Sequence, residues 1–170
     1  MMERALVIGS PGAGKSTFAT ELARRTGLPL FHLDQIKWKA GWIESDDAEF
    51  RARLTTILAQ PRWIIDGNYG GSLPQRLARA DAVIDLDLSV WRCLAGAVRR
   101  VWQLRGTVRP DMAPGCPERF DLEFLVYIAR FPWTGRPRVE AKLAAFEGRR
   151  LQLRSRAEVR CFLDGLAERG

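Results

Sequence analysis

The feature that most constrains this chain is a stretch near its amino end, Gly9-Ser10-Pro11-Gly12-Ala13-Gly14-Lys15-Ser16, a full match to G-x-x-x-x-G-K-[ST]. It follows directly on the apolar run Ala5 to Ile8. It is followed by Thr17 and a helical pattern through Leu22 and Ala23. Glycines at these positions let the backbone turn tightly with its N–H groups facing inward, and the helix start adds partial positive charge. A polyphosphate sits on such amides. Lys15 would bridge the β- and γ-phosphates as a mobile cation, and the Ser16 hydroxyl would ligate Mg²⁺. The implied ligands are ATP and Mg²⁺, held by Gly9, Ser10, Pro11, Gly12, Ala13, Gly14, Lys15, Ser16 and Thr17.

Around this loop, short Val/Ile/Leu-rich runs alternate with longer segments of helical period, the pattern of an α/β protein on a parallel sheet. Five runs read as buried strands: Ala5 to Ile8, Leu30 to Leu33, Trp63 to Ile65, Ala82 to Leu86 and Leu151 to Leu153. Asp46 with Glu49, and Ser155 with Glu158, read as capping boxes, and Ser89 as the cap of a helix carrying Val90, Leu94, Val98, Val101 and Trp102. Pro61 ends the helix that Asp46 opens. Gly106 to Pro117 is rich in turn residues and reads as a loop between two helices, and Phe120, Phe124, Tyr127 and Ile128 as the inner face of the second.

The 170 residues suit one compact domain, residues 1–170, and 46% apolar with 28% charged residues is enough for a core of its own. Apolar runs fall short of the roughly 18 residues a spanning helix needs. The three cysteines form no C-x-x-C pair and, with one histidine, supply no ordinary structural zinc site. A cytoplasmic protein without membrane association is expected. Charge is uneven: residues 1–90 balance 11 cations against 11 anions, whereas residues 91–160 carry 15 against 7. Nearly all the cations are arginines, whose planar forks grip phosphate oxygens in pairs. Either a polyphosphate or a nucleic acid could use them.

Beyond the phosphate loop, four ordered stretches carry a resemblance: Phe31-His32-Leu33-Asp34, Lys37-Trp38-Lys39-Ala40-Gly41-Trp42, Trp63-Ile64-Ile65-Asp66-Gly67-Asn68-Tyr69, and Arg109-Pro110-Asp111-Met112-Ala113-Pro114-Gly115-Cys116-Pro117. With them the chain resembles the adenylate-kinase-like P-loop kinases, and among those the bacterial DNA topology modulation protein family. The resemblance implies a three-layer α/β fold, a five-stranded parallel sheet of order 2-3-1-4-5 and a helical lid, here residues 99–119. It implies that Asp66 supports Mg²⁺ through water, that Asp34 binds or deprotonates the acceptor, and that Arg100 stabilises the transferring phosphate beside Arg99, Arg105 and Arg109. It also places adenine near Arg154, Ser155 and Arg156.

The chain departs from adenylate kinases where Asn68-Tyr69-Gly70 replaces Phe-Pro-Arg, and where Lys37 and Lys39 stand in place of an arginine after the second strand. These changes weaken AMP as acceptor and leave a hydroxyl-bearing small molecule or another nucleotide. His32 reads as a packed or hydrogen-bonded strand residue, and Trp38 and Trp42 as either base-stacking or core residues. The expected function is Mg-ATP-dependent phosphotransfer to a small molecule or nucleotide. The alternatives are a nucleic-acid-associated regulator using ATP as a switch, or a toxin-like kinase of sugar nucleotides; no helix-turn-helix or zinc-finger spacing supports the former.

Overall fold

The computed structural model describes residues 2–167. Its sheet is centred on β1 (Arg4–Gly9), which pairs in parallel with β5 (Trp63–Asp66) on one side and β6 (Ala82–Leu86) on the other. Outside these lie β2 (Leu30–His32) and β7 (Arg149–Leu153), also parallel. The order β2-β5-β1-β6-β7 is the expected 2-3-1-4-5, because the intervening β3 (Trp38–Lys39) and β4 (Ile43–Glu44) form a separate antiparallel hairpin. That hairpin was not foreseen. Its two-residue strands are too short for a period, and left-handed backbone at Gly41 and Trp42 turns it.

Alternation along β1 explains the layering. Leu6 and Ile8 face one cluster, built with Phe50 and Leu54 of α3 (Asp47–Leu58), Leu73 and Leu77 of α4 (Leu73–Leu77), and Phe131 and Val139 of α6 (Leu122–Leu143). Ala5 and Val7 face the other, with Phe18 and Leu22 of α1 (Lys15–Thr26) and Leu163 of α7 (Arg156–Ala167). A short α2 (Leu33–Lys37) follows β2 directly, and α5 (Val90–Leu104) packs through Cys93 and Ala97 against Ile128 of α6. Among the described residues, no helix is long and apolar enough to cross a membrane.

Local details refine the sequence reading. Asp46 caps α3 by accepting from Ala48 N–H, but Glu49 turns away to Lys39 and Arg53 instead of closing a box. Ser155 Oγ does accept from Glu158 N–H at 3.1 Å, and the Glu158 carboxylate turns back to accept from Arg154 N–H at 2.9 Å. Ser89 stands at the N-cap of α5 without a side-chain bond, and α5 continues a turn past Arg99 and Arg100 to Leu104. Phe120 lies before α6 and is exposed, as is Tyr127, so only part of the expected inner face is buried. Helix α6 begins under an Asp121 cap and runs through Pro132 and Pro137.

The loop from Gly106 to Pro117 is ordered by its contact with the β3–β4 hairpin. Met112, Ala113 and Cys116 pack on Trp38 and Trp42, which meet edge to face at 5.6 Å. Gly41 N–H donates to Gly115 O at 2.9 Å, Trp42 Nε1 to Pro117 O at 3.2 Å and Gln35 Nε2 to Pro110 O at 2.7 Å. The two tryptophans are thus half-buried against a small satellite cluster.

On the other side of the molecule, α6 is tied to the sheet by charge. Asp85 is fully buried on β6, and Arg136 donates to it at 2.9 Å while also reaching Asp87 at 3.0 Å and Glu140 at 3.3 Å. Removing one partner of such a pair strands a charge in low dielectric. Arg136→Ala is therefore expected to lower the unfolding free energy by about 3–5 kcal/mol, measured by urea denaturation. A loss below about 1 kcal/mol, the range of an exposed pair, would show that the network is not holding α6 to the sheet.

Candidate active site

The glycine-rich loop leaves β1 under tight steric control. Gly9 has φ +130°, and a Cβ there would come within 2.3 Å of Leu86 O. Gly12 has φ +78°, and a Cβ there would meet Cys93 O at 2.5 Å. Only glycine fits either position. Gly14 then forms a left-handed N-cap, and α1 starts at Lys15 with its N-terminus directed into the loop. The Lys15 ammonium donates to Gly9 O at 3.3 Å and Ser10 O at 3.0 Å. Burial lowers its pKa, and the charges of Asp66 and Asp34 oppose that shift. Both carboxylates therefore share an electrostatic neighbourhood with the loop lysine.

Asp66 ends β5, buried, beside the central strand; it is paired in register with Val7. Its Oδ2 lies 2.9 Å from His32 Nδ1, while its Oδ1 has no hydrogen-bond partner among the described residues. A buried carboxylate oxygen left open in this way is suited to a cation or to a cation's water shell. Ser16 Oγ and Asp66 are the residues that could hold Mg²⁺ here. His32, expected to be a hydrogen-bonded strand residue, is one.

The turn after Asp66 explains the departure from Phe-Pro-Arg. Asn68 clasps the first loop glycine with both ends of its amide: Nδ2 donates to Gly9 O at 2.8 Å, and Oδ1 accepts from Gly9 N–H at 3.1 Å. Tyr69, at φ +29°, donates its hydroxyl to Asp34 Oδ1 at 2.5 Å. The strained backbone is held from beneath by Arg76, fully buried, which donates to the carbonyls of Gly67 at 2.8 Å, Asn68, and Tyr69 at 3.1 Å, and to Ser72 Oγ at 3.2 Å. Burial pulls the Arg76 pKa well below the usual arginine range, and the charge of Asp66 opposes this. Arg76 escaped sequence reading because a lone arginine in an amphipathic helix looks like surface.

Asp34 sits in the first turn of α2, just past the edge of β2. Burial raises its pKa above the ordinary carboxylate value; the Tyr69 hydrogen bond lowers it, Asp66 raises it, Arg109 lowers it and Asp111 raises it. Burial, then the neighbouring Asp34, likewise holds the Tyr69 phenol in its protonated form. Arg109 is paired with Asp111 at 2.9 Å and with Glu118 at 2.8 Å. The same buried Glu118 takes Arg100 at 3.1 Å, and Arg100 also lies over the Phe124 ring. Burial and then the charge of Arg109 lower the pKa of Arg100. The structure thus groups Arg100 with Arg109 through Glu118, a residue the sequence reading did not single out. Arg105 is exposed. Arg99 instead lines an open cleft with Arg92, Ala95, Gly96 and Arg156, where α5 faces the start of α7.

Comparison with known proteins bears on the family and the fold. The family model of the ATPase family associated with various cellular activities (AAA) matches residues 5–65. The chain is 31% identical over 133 residues to a shikimate kinase of Rhodococcus jostii (strain RHA1), covering 70% of this chain and 76% of that protein. Among solved structures, shikimate kinase from Acinetobacter baumannii in complex with shikimate superposes with TM-score 0.59 at 16% identity, covering 99% of this chain and 92% of that one. A gluconokinase from Sinorhizobium meliloti 1021 gives TM-score 0.52 at 17% identity over 98% and 94%. At those identities the structural likeness concerns the fold.

The direction of the Asp34 shift has a stability consequence. Its folded pKa lies above the ordinary 3.8, so the folded state holds the proton more tightly than the unfolded chain. Its contribution therefore becomes destabilising as pH rises from about 3.8 through the folded value, and stays so at neutrality. Asp34→Asn should be more stable than the parent at pH 7, with the difference vanishing near pH 3. Thermal unfolding of both proteins across that range checks it; a variant less stable at pH 7 would contradict it.

Proposed function

The chain belongs to the shikimate kinase-like family of P-loop kinases, and on that premise we propose that it transfers the γ-phosphoryl group of Mg-ATP to a hydroxyl group of a small molecule. The observation that carries this reading is the Gly67–Gly70 turn, which grips Gly9 of the phosphate loop through Asn68 and the Asp34 carboxylate through Tyr69. One rigid piece thus sets the distance between the donor's cradle and the group facing the acceptor. Positioning supplies much of what a protein can add to phosphoryl transfer.

In this reading residues Gly9 to Thr17 wrap the triphosphate, Lys15 bridges its β- and γ-phosphates, and Ser16 with Asp66 holds Mg²⁺. The metal would neutralise charge on the phosphate oxygens. Asp34 orients the acceptor hydroxyl and takes its proton as the oxygen–phosphorus bond forms; the bond from the γ-phosphorus to ADP breaks in line, and ADP leaves. Arg100, with Arg109 beside it, spreads the developing negative charge, and residues 99–119 act as the lid. The cleft of Arg92, Arg99 and Arg156 suits the adenine ring, which arginine planes can stack on. Residues 1–170 act as one catalytic domain, in a cytoplasm that supplies Mg-ATP and keeps three free cysteines reduced.

The finer likeness to the DNA topology modulation protein family rests on the four sequence stretches, and the kinase chemistry accommodates it. An ATP-switched nucleic-acid regulator draws less support. Arg136 and Arg150 in the basic half are paired with carboxylates of this same chain, which removes them from a phosphate-backbone footprint.

Lys15→Ala should leave the circular dichroism spectrum unchanged and abolish transfer of label from γ-labelled Mg-ATP. Arg100→Ala should reduce kcat by about 10³ with ATP binding retained. Full activity in the lysine variant would overturn the assignment.

A further inference from the structure

The two arginines proposed to meet the transferring phosphate converge on one carboxylate. Glu118 is buried, and its main chain is fixed on both sides. Pro117 O accepts from Trp42 Nε1 at 3.2 Å, Glu118 N–H donates to Thr107 O at 2.8 Å, and Glu118 O accepts from Gly106 N–H at 2.9 Å. From that backbone the side chain spans two segments. Its Oε1 lies 3.1 Å from Arg100, near the end of α5, and its Oε2 lies 2.8 Å from Arg109, in the loop. In both arginines the nitrogen engaged is Nε, at the inner edge of the fork. Asp111 takes Nη1 of Arg109 at 2.9 Å. Among the described residues no hydrogen bond is made by Nη1 or Nη2 of Arg100, or by Nη2 of Arg109. Those outer nitrogens remain to meet an oxyanion.

Two guanidiniums brought this close repel each other. Burial and then the charge of Arg109 lower the pKa of Arg100, and the charge of Glu118 opposes that shift. We propose that Glu118 is a positioning residue for phosphoryl transfer: it touches neither nucleotide nor acceptor, and it holds Arg100 and Arg109 side by side with their outer nitrogens available to the γ-phosphoryl group. A glutamine here could accept from one Nε only, and would aim its own N–H donors at the other guanidinium. The arginine pair would lose its spacing with little change in volume. This deepens the kinase reading and rests on it, because it assumes that both arginines act on the phosphoryl group in transit.

Calorimetry with Mg-ADP, alone and with fluoroaluminate as a mimic of that group, tests it without an acceptor. Glu118→Gln should weaken the fluoroaluminate complex by about tenfold or more and the Mg-ADP complex by less than about twofold. The loss from Glu118→Gln should shrink when Arg100 is already alanine, since Glu118 acts through the arginines. Glu118→Asp, which keeps the charge one methylene short, should fall between the parent and Glu118→Gln, and carries the test if the glutamine variant does not fold. Equal weakening of both complexes, or a fluoroaluminate complex unchanged or tightened, overturns the inference while leaving the kinase reading in place. A parent protein that binds Mg-ADP and gains nothing from fluoroaluminate overturns both.

Discussion

The grip of Arg76 on the turn after β5 is the interaction on which the site depends. A guanidinium without exposure to solvent is costly unless its donors are met, and here three backbone carbonyls and a hydroxyl meet them. Three successive carbonyls must converge on one side chain, which imposes the φ of +29° at Tyr69. From that backbone Asn68 points to Gly9 and Tyr69 to Asp34. Local strain, in this arrangement, is what aims two side chains at two different elements.

The strands were legible because buried parallel strands read as continuous apolar runs, and β1, β5 and β6 are buried almost throughout. The phosphate loop was legible because its glycines answer to steric demands that no other residue meets. What stayed hidden depends on pairing across the chain. Glu118 looks like one acid among basic residues until the fold sets it between Arg100 and Arg109. The pairing of His32 with Asp66 requires β2 and β5 to be neighbours in the right register, which no local pattern encodes. Asn68 and Tyr69 registered only as departures from a known motif; their partners, Gly9 and Asp34, lie 59 and 35 positions away.

The arginine excess of residues 91–160 has a structural use that composition concealed. Arg136 and Arg150 neutralise Asp85 and Glu140 between α6 and the sheet, and Arg100 and Arg109 neutralise Glu118 under the proline-rich loop. Basicity in this half is therefore partly internal. Arg92, Arg99 and Arg156 line one cleft on α5 and at the start of α7, which gathers three of the remaining cations in one place.

Gly12 and Gly96 carry a mechanical implication. A Cβ on Gly96 would stand 2.9 Å from Gly12 O, and one on Gly12 would stand 2.5 Å from Cys93 O, so main chain touches main chain with no side chain to act as a cushion. Side chains absorb small displacements by changing rotamer, and bare peptide groups have no such slack. Any rocking of α5 is thus delivered undamped to the residues that would bear the triphosphate.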